Sequence, residues 1–259
     1  MNVALVQLDI AWENPEENFR RVRELTQRSN IPKDSLVVLP EMFSTGFSMD
    51  VEKTSDNETG RCQSFLADLA AELKSAVIGG YVLQAENGMG MNVSSAYLPN
   101  GSSPATYQKI HPFTFGEESK HFVGGKRLSM FEWCHFNICP TICYDLRFPE
   151  LYRWGVSEGA ELFTIIASWP ETRIDHWKAL IRARAIENQA YVVGVNRCGS
   201  DPNVAYCGSS MAVDPKGNII IEMDSTSKVT QFSAEIGTLR AYRAKFPAIA
   251  DMRITSRFQ

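Results

Sequence analysis

Three polar residues stand where apolar runs of the sequence end: Glu41 after VVLP, Lys109 after ATYQ and Cys143 after NICPTI. A carboxylate, an ammonium and a thiol together can drive nucleophilic attack on a carbonyl carbon. The thiol is the nucleophile, but it needs a base to take its proton near neutral pH. A carboxylate in a cleft becomes basic enough to do so, because desolvation raises its pKa. An ammonium beside the reacting carbon stabilises the oxyanion of a tetrahedral intermediate. It also lowers the pKa of a nearby thiol. The backbone N–H of Tyr144, at the turn after Cys143, is a second oxyanion donor. Each residue alone has an ordinary reading: a buried core cysteine, a solvated loop glutamate, an exposed lysine.

The surrounding sequence predicts the elements that would position them. Residues 3–8, 36–41, 136–145 and 162–168 read as strands, short apolar runs bounded by turn residues. Residues 15–28 read as a helix capped by Asn14 with Pro15 in its first turn. Further helices are expected over 62–73, from Pro149 to about Glu158, over 173–188 and over 237–245. Continuous apolar strands need cover on both faces, which favours α/β layers. In open α/β sheets, ligands bind at the carboxyl ends of strands, and all three residues occupy such ends. No linker interrupts the chain, so one domain over 1–250 with a tail over 251–259 is the simplest organisation. Helix 173–188 is apolar on two sides, so cover by a second layer is expected, from the same chain rather than a partner.

Composition narrows the partners. The chain has 259 residues, 44% of them hydrophobic, a net charge of −4 and a pI near 5.7. No basic stripe speaks for nucleic acid, and a mildly acidic chain gains little from an anionic membrane. The N-terminal apolar run lacks a basic leader and a cleavage site, so a cytoplasmic protein is expected. No run approaches the ~20 apolar residues that span a bilayer. Six cysteines without a CxxC pair, and four histidines without ligand spacing, point to free thiols and no metal. Glycine cradles for phosphate are missing too, so no cofactor is expected. Cys139 and Cys143 share a strand face, but roughly 13 Å apart at strand rise, too far for a disulfide. The sequons at Asn57, Asn92 and Asn100 read as chance.

The motifs LPEMF (39–43), YQKIH (107–111) and ICYDLRFPE (142–150), with the stretch 168–199, resemble the nitrilase superfamily of carbon–nitrogen hydrolases. The resemblance runs from about residue 2 to 247. It implies an α-β-β-α sandwich, with Glu41 as general base, Lys109 as cationic stabiliser and Cys143 as nucleophile through a thioester. It also implies a second glutamate between the lysine and cysteine motifs. Glu118 in GEESKHFVGG fits, with Glu117 beside it as the lesser choice. Members commonly dimerise, so a homodimer or higher homo-oligomer is expected.

Within the superfamily the chain most resembles the omega-amidase group. That implies a small amide substrate of the 2-oxoglutaramate or 2-oxosuccinamate type, with a free carboxylate to be held by a cation. Arg173 is the candidate, because arginine grips carboxylates bidentately. Arg147 is the alternative, although it could instead pair internally with Asp145 or Glu150. Trp169, Phe43 and Tyr144 are candidates for the pocket wall, and each could equally be core. Rival substrates are deaminated glutathione, nitriles and N-carbamoyl compounds. The rival from another class is a silent binding module, which the intact triad types disfavour.

Overall fold

Apolar alternation along the first strands divides their side chains between two cores. Val3, Leu5, Leu36, Val38, Ala76 and Ile78 enter one cluster, while Ala4, Val6, Val37, Leu39 and Val77 enter another. Successive strand residues point to opposite faces, so a sheet apolar on both sides must be covered on both. The computed structural model describes residues 1–56 and 60–253. The sequon at Asn57 and the last six residues of the expected tail lie outside the described residues.

In chain order the elements begin with β1 (Asn2–Gln7), α1 (Pro15–Arg28), β2 (Leu36–Val38), α2 (Val51–Thr54), α3 (Arg61–Leu73), β3 (Ala76–Gln84), β4 (Gly90–Tyr97) and β5 (Ala105–Gln108). Then come α4 (Glu118–His121), β6 (Phe131–Trp133), β7 (Phe136–Ile142), α5 (Pro149–Ser157), β8 (Leu162–Ala167), α6 (Ile174–Asn188) and β9 (Tyr191–Asn196). The chain closes with β10 (Cys198–Ser200), β11 (Ala205–Cys207), β12 (Met211–Val213), β13 (Ile219–Glu222), β14 (Lys228–Ser233) and α7 (Ile236–Lys245).

Two six-stranded sheets result, with orders β14-β1-β2-β3-β4-β5 and β13-β12-β9-β8-β7-β6, plus the small ribbon β10-β11. In each sheet three neighbouring strands are parallel: β1, β2 and β3 in the first, β7, β8 and β9 in the second. The first sheet's inner residues share one core with the second sheet, and Phe19, Val22, Phe65, Leu66 and Leu69 of α1 and α3 cover its outer face. Leu151, Tyr152, Trp177, Ile181 and Ala185 of α5 and α6 join the core of the second sheet. This is the α-β-β-α sandwich that the motifs imply. β14 returns from the far end of the chain to pair antiparallel with β1.

Three local expectations are corrected. Regular pairing of β2 stops at Val38, not at residue 41, because Pro40 has no N–H to continue the ladder. β7 ends at Ile142, and Cys143 opens a 3-10 turn, Cys143–Arg147, instead of remaining in the strand. Finally, α6 is covered by the chain on one side only. Trp177, Ile181 and Ala185 are buried, whereas Ile186 is half exposed, so among the described residues no second layer covers that side. Among the described residues, no helix is long and apolar enough to cross a membrane.

Candidate active site

Glu41 lies three residues beyond β2, on a turn that continues through Met42 in the left-handed region, φ +44°. The turn is packed directly on Gly80 of β3. A Cβ there would come within 2.9 Å of both Glu41 Cα and Met42 N, so glycine is what lets the backbones approach. The Glu41 side chain is fully buried, and a buried carboxylate needs hydrogen-bond donors. It has three. Lys109 Nζ (3.0 Å) and Asn92 Nδ2 (2.8 Å) donate to Oε1, and the Ser168 N–H (2.8 Å) donates to Oε2.

Lys109 follows β5 and is also buried. Its ammonium sits between Glu41 and Glu118, 2.8 Å from Glu118 Oε2 and 3.1 Å from Oε1. Burial opposes its charge, but the carboxylates of Glu118 and Glu41 outweigh it, and the lysine pKa is held above its ordinary value. The ring of Phe47 lies 5.4 Å from Nζ. Glu118, in the first turn of the short helix α4, also accepts from Asn92 Nδ2 at 2.9 Å and from the Phe113 N–H at 2.6 Å. Glu117, the lesser choice in the sequence, is outside this cluster and pairs with Lys120 on the surface.

Cys143 begins the turn after β7 with φ +45°. A non-glycine residue held there costs on the order of 1–3 kcal/mol, and its surroundings must hold it. Asp145 is one restraint. Its buried carboxylate accepts from the Ile142 N–H (3.1 Å) and Tyr107 Oη (2.8 Å), and from the His111 N–H (3.1 Å), with His111 Nδ1 2.8 Å away. Tyr107 and His111 flank Lys109 by two residues on either side, so this network ties the cysteine turn to the lysine strand. The sulfur is within electrostatic reach of Glu41, Lys109 and Glu118. Burial, then Glu41, push its thiol well above the ordinary value, against a smaller opposing pull from Lys109. Both effects favour the protonated thiol. Cys139, earlier on β7, is fully buried in the core.

Cys143 faces a cavity of about 440 Å³, while Glu41, Lys109 and Glu118 stay buried beneath its wall. Cys143, Tyr144, Arg147, Ser168, Trp169, Arg173 and Phe47 are on its wall. Arg173 stacks over Phe113, its guanidinium 5.4 Å from the ring. Arg147 lies over Trp169 at 4.8 Å and beside His176 Nδ1 at 3.3 Å. The internal pairing weighed for Arg147 does not form with Asp145, whose oxygens are taken by Tyr107, His111 and Ile142. Nor is an ion pair of Arg147 with Glu150 found among the described residues.

Phe43 is the site expectation that the structure overturns. It points away from the cavity into the core beneath the helices, with Phe19 at 5.9 Å and Phe65 at 5.7 Å. The left-handed turn at Met42 reverses the side-chain direction after Glu41, and Phe47 takes the pocket position instead. Sequence reading also missed Asn92, Ser168 and Asp145. Asn92 was visible only as part of a sequon, and it lies buried within β4. Ser168 acts through its main chain, which carries no residue-type signal. Asp145, two residues after the cysteine, was weighed only as a possible partner of Arg147.

A model of the family described as carbon–nitrogen hydrolase matches residues 2–244. The chain is similar to "Omega-amidase YafV" of Escherichia coli (strain K12), 36% identical and covering 97% of this chain and 96% of the relative. It is also similar to "2-oxoglutaramate amidase" of Bacillus subtilis (strain 168), 30% identical with 97% of both chains covered. Among solved structures, XC1258 from Xanthomonas campestris, described as a CN-hydrolase superfamily protein with an arsenic adduct in the active site, superposes with a TM-score of 0.93. It shares 32% identity over 99% of this chain and 98% of the other.

Proposed function

The chain belongs to the carbon–nitrogen hydrolase family and is a hydrolase acting on amides; from that premise we propose that it removes ammonia from a small dicarboxylic monoamide of the 2-oxoglutaramate type, through a thioester on Cys143. The observation that carries this reading is the buried grouping of Glu41, Lys109 and Glu118 within electrostatic reach of Cys143, which faces a cavity lined by Arg147 and Arg173. The similarity to omega-amidases and to a 2-oxoglutaramate amidase supports the substrate class.

A carboxamide is a weak electrophile with a poor leaving group. A thiol held protonated is not yet a nucleophile, so its proton must move as sulfur attacks. Glu41 takes that proton, the S–C bond forms, and the carbonyl oxygen becomes an oxyanion held by Lys109 Nζ and the Tyr144 N–H. Losing one such donor costs about 3–4 kcal/mol in other enzymes. The tetrahedral intermediate collapses as Glu41 returns the proton to nitrogen and ammonia leaves. Water, deprotonated by Glu41, attacks the thioester, and the carboxylate product departs with the thiol restored. Glu118 keeps Lys109 charged and aimed. Arg173 holds the substrate's free carboxylate, with Arg147 beside it, and Trp169 forms the apolar wall. A homodimer working in the cytoplasm, with one domain over 1–250, completes the proposal.

The test is ammonia release from purified protein across 2-oxoglutaramate, succinamate, deaminated glutathione, a nitrile and a carbamoyl amino acid. Fastest turnover of the first two is expected. Cys143→Ala should abolish turnover and any trapped thioester mass, and Cys139→Ala should keep both. Full activity in Cys143→Ala ends the proposal.

A further inference from the structure

A carboxylate offers about four lone-pair positions, two on each oxygen. On Glu41, Oε1 accepts from Lys109 Nζ and from Asn92 Nδ2, whereas Oε2 accepts only from the Ser168 N–H. Oε1 is therefore saturated and the open position is on Oε2. Ser168, whose N–H holds Oε2, lines the same cavity as Cys143. Asn92 gives its other hydrogen to Glu118 Oε1. One neutral amide thus bridges two buried carboxylates that would otherwise repel across the single ammonium of Lys109. The fold holds Asn92 in place for this bridge. The residue is 1% exposed within β4, and its main-chain carbonyl accepts from the Lys109 N–H at 2.9 Å.

We propose that Asn92 is a positioning residue, which occupies Glu41 Oε1 so that Oε2 takes the Cys143 proton and which fixes Glu41 and Glu118 on either side of Lys109. This rests on the reading of Glu41 as the base. The charged or titratable groups facing Glu41 are Lys109 from the end of β5, Glu118 from α4, Cys143 from the turn after β7 and, more distantly, Tyr206 of β11. Asn92 acts through the two carboxylates it donates to and is not itself on the cavity wall.

Both donor hydrogens favour the ionised form of the carboxylate they touch. Removing Asn92 takes one such bond from each carboxylate, and the acidic limb of kcat/KM against pH is expected to move upward. The experiment measures that profile for the full chain and for Asn92→Ala and the isosteric Asn92→Asp, with thermal melts to show that each is folded. The expected result is a kcat lower by about tenfold or more, KM within about threefold, and an acidic limb raised by at least about half a pH unit. Asn92→Asp should shift it further, because a third negative charge replaces the donor. A folded variant whose kcat falls while its acidic limb stays at the wild-type pH overturns the inference, since packing alone then accounts for the loss. Full activity in both variants overturns it as well. Failure of the underlying reading looks different: Glu41→Gln would keep turnover.

Discussion

Lys109 and Glu118 form an ion pair with Nζ 2.8 Å from Oε2 and neither side chain exposed by more than 1%. Water cannot screen such a pair, and removing one partner strands the other charge. Glu118 also accepts the Phe113 N–H, so it pins the loop carrying Phe113 and Phe115 to the lysine. Glu118→Ala is therefore expected to lose about 3–5 kcal/mol of stability and about a hundredfold in kcat. Glu118→Gln should lose less of both, because an amide oxygen still accepts one bond. Thermal melts and ammonia release check both; an alanine variant as stable and active as the parent sinks the assignment.

Burial and, after it, Glu41 favour the protonated form of the Cys143 thiol. Burial is the largest cause of the raised thiol pKa and Glu41 the next, with Lys109 pulling down. The wild-type thiol therefore stays neutral through neutral pH and ionises only as pH rises well above the ordinary cysteine value. In Glu41→Gln the negative charge is gone and Lys109 remains, so the thiolate should appear at lower pH than in the parent. Turnover should nonetheless fall by about a hundredfold or more, as the proposed base is missing. Thiolate ultraviolet absorbance against pH, with Cys143→Ala as blank, reads the shift. A thiolate that appears at the same or a higher pH would contradict the electrostatics.

Gly80 sets where Glu41 sits. Its absent Cβ leaves room for the Glu41 Cα and Met42 N at 2.9 Å, both main-chain atoms that cannot swing aside. Gly80→Ala should cost about 1–3 kcal/mol of stability through overpacking. It should reduce kcat more than it raises KM, since the residue displaced is the proposed base and not a proposed substrate contact. Denaturant melts with steady-state kinetics separate the two effects.

The free carboxylate of the substrate should be read by the arginines of the cavity. Arg173→Met should raise KM for 2-oxoglutaramate by about tenfold or more, the scale of one charged hydrogen bond. The same variant should leave a neutral amide such as propionamide within about twofold of the parent. Arg147→Met is expected to act in the same direction and more weakly. If both substrates suffer equally in Arg173→Met, the residue holds the pocket's shape and not the carboxylate.

Much of this was legible in the residue order. Period-two and continuous apolar runs encode strands locally, and helix caps such as Asn14 mark starts, because both depend on near neighbours in the chain. The placing of Glu41, Lys109 and Cys143 just after strands was legible as well: a polar residue ending an apolar run is a local signal, and the LPEMF, YQKIH and ICYDLRFPE motifs carry family resemblance. What lay beyond reach depends on distance in space. Asn92 and Ser168 reach Glu41 from 51 and 127 residues away, a convergence that strand order and sheet stacking create. Phe43 and Phe47 are two similar rings on the same short stretch of chain. Only the left-handed turn at Met42 and the close approach of Gly80 send the first into the core and leave the second beside the lysine.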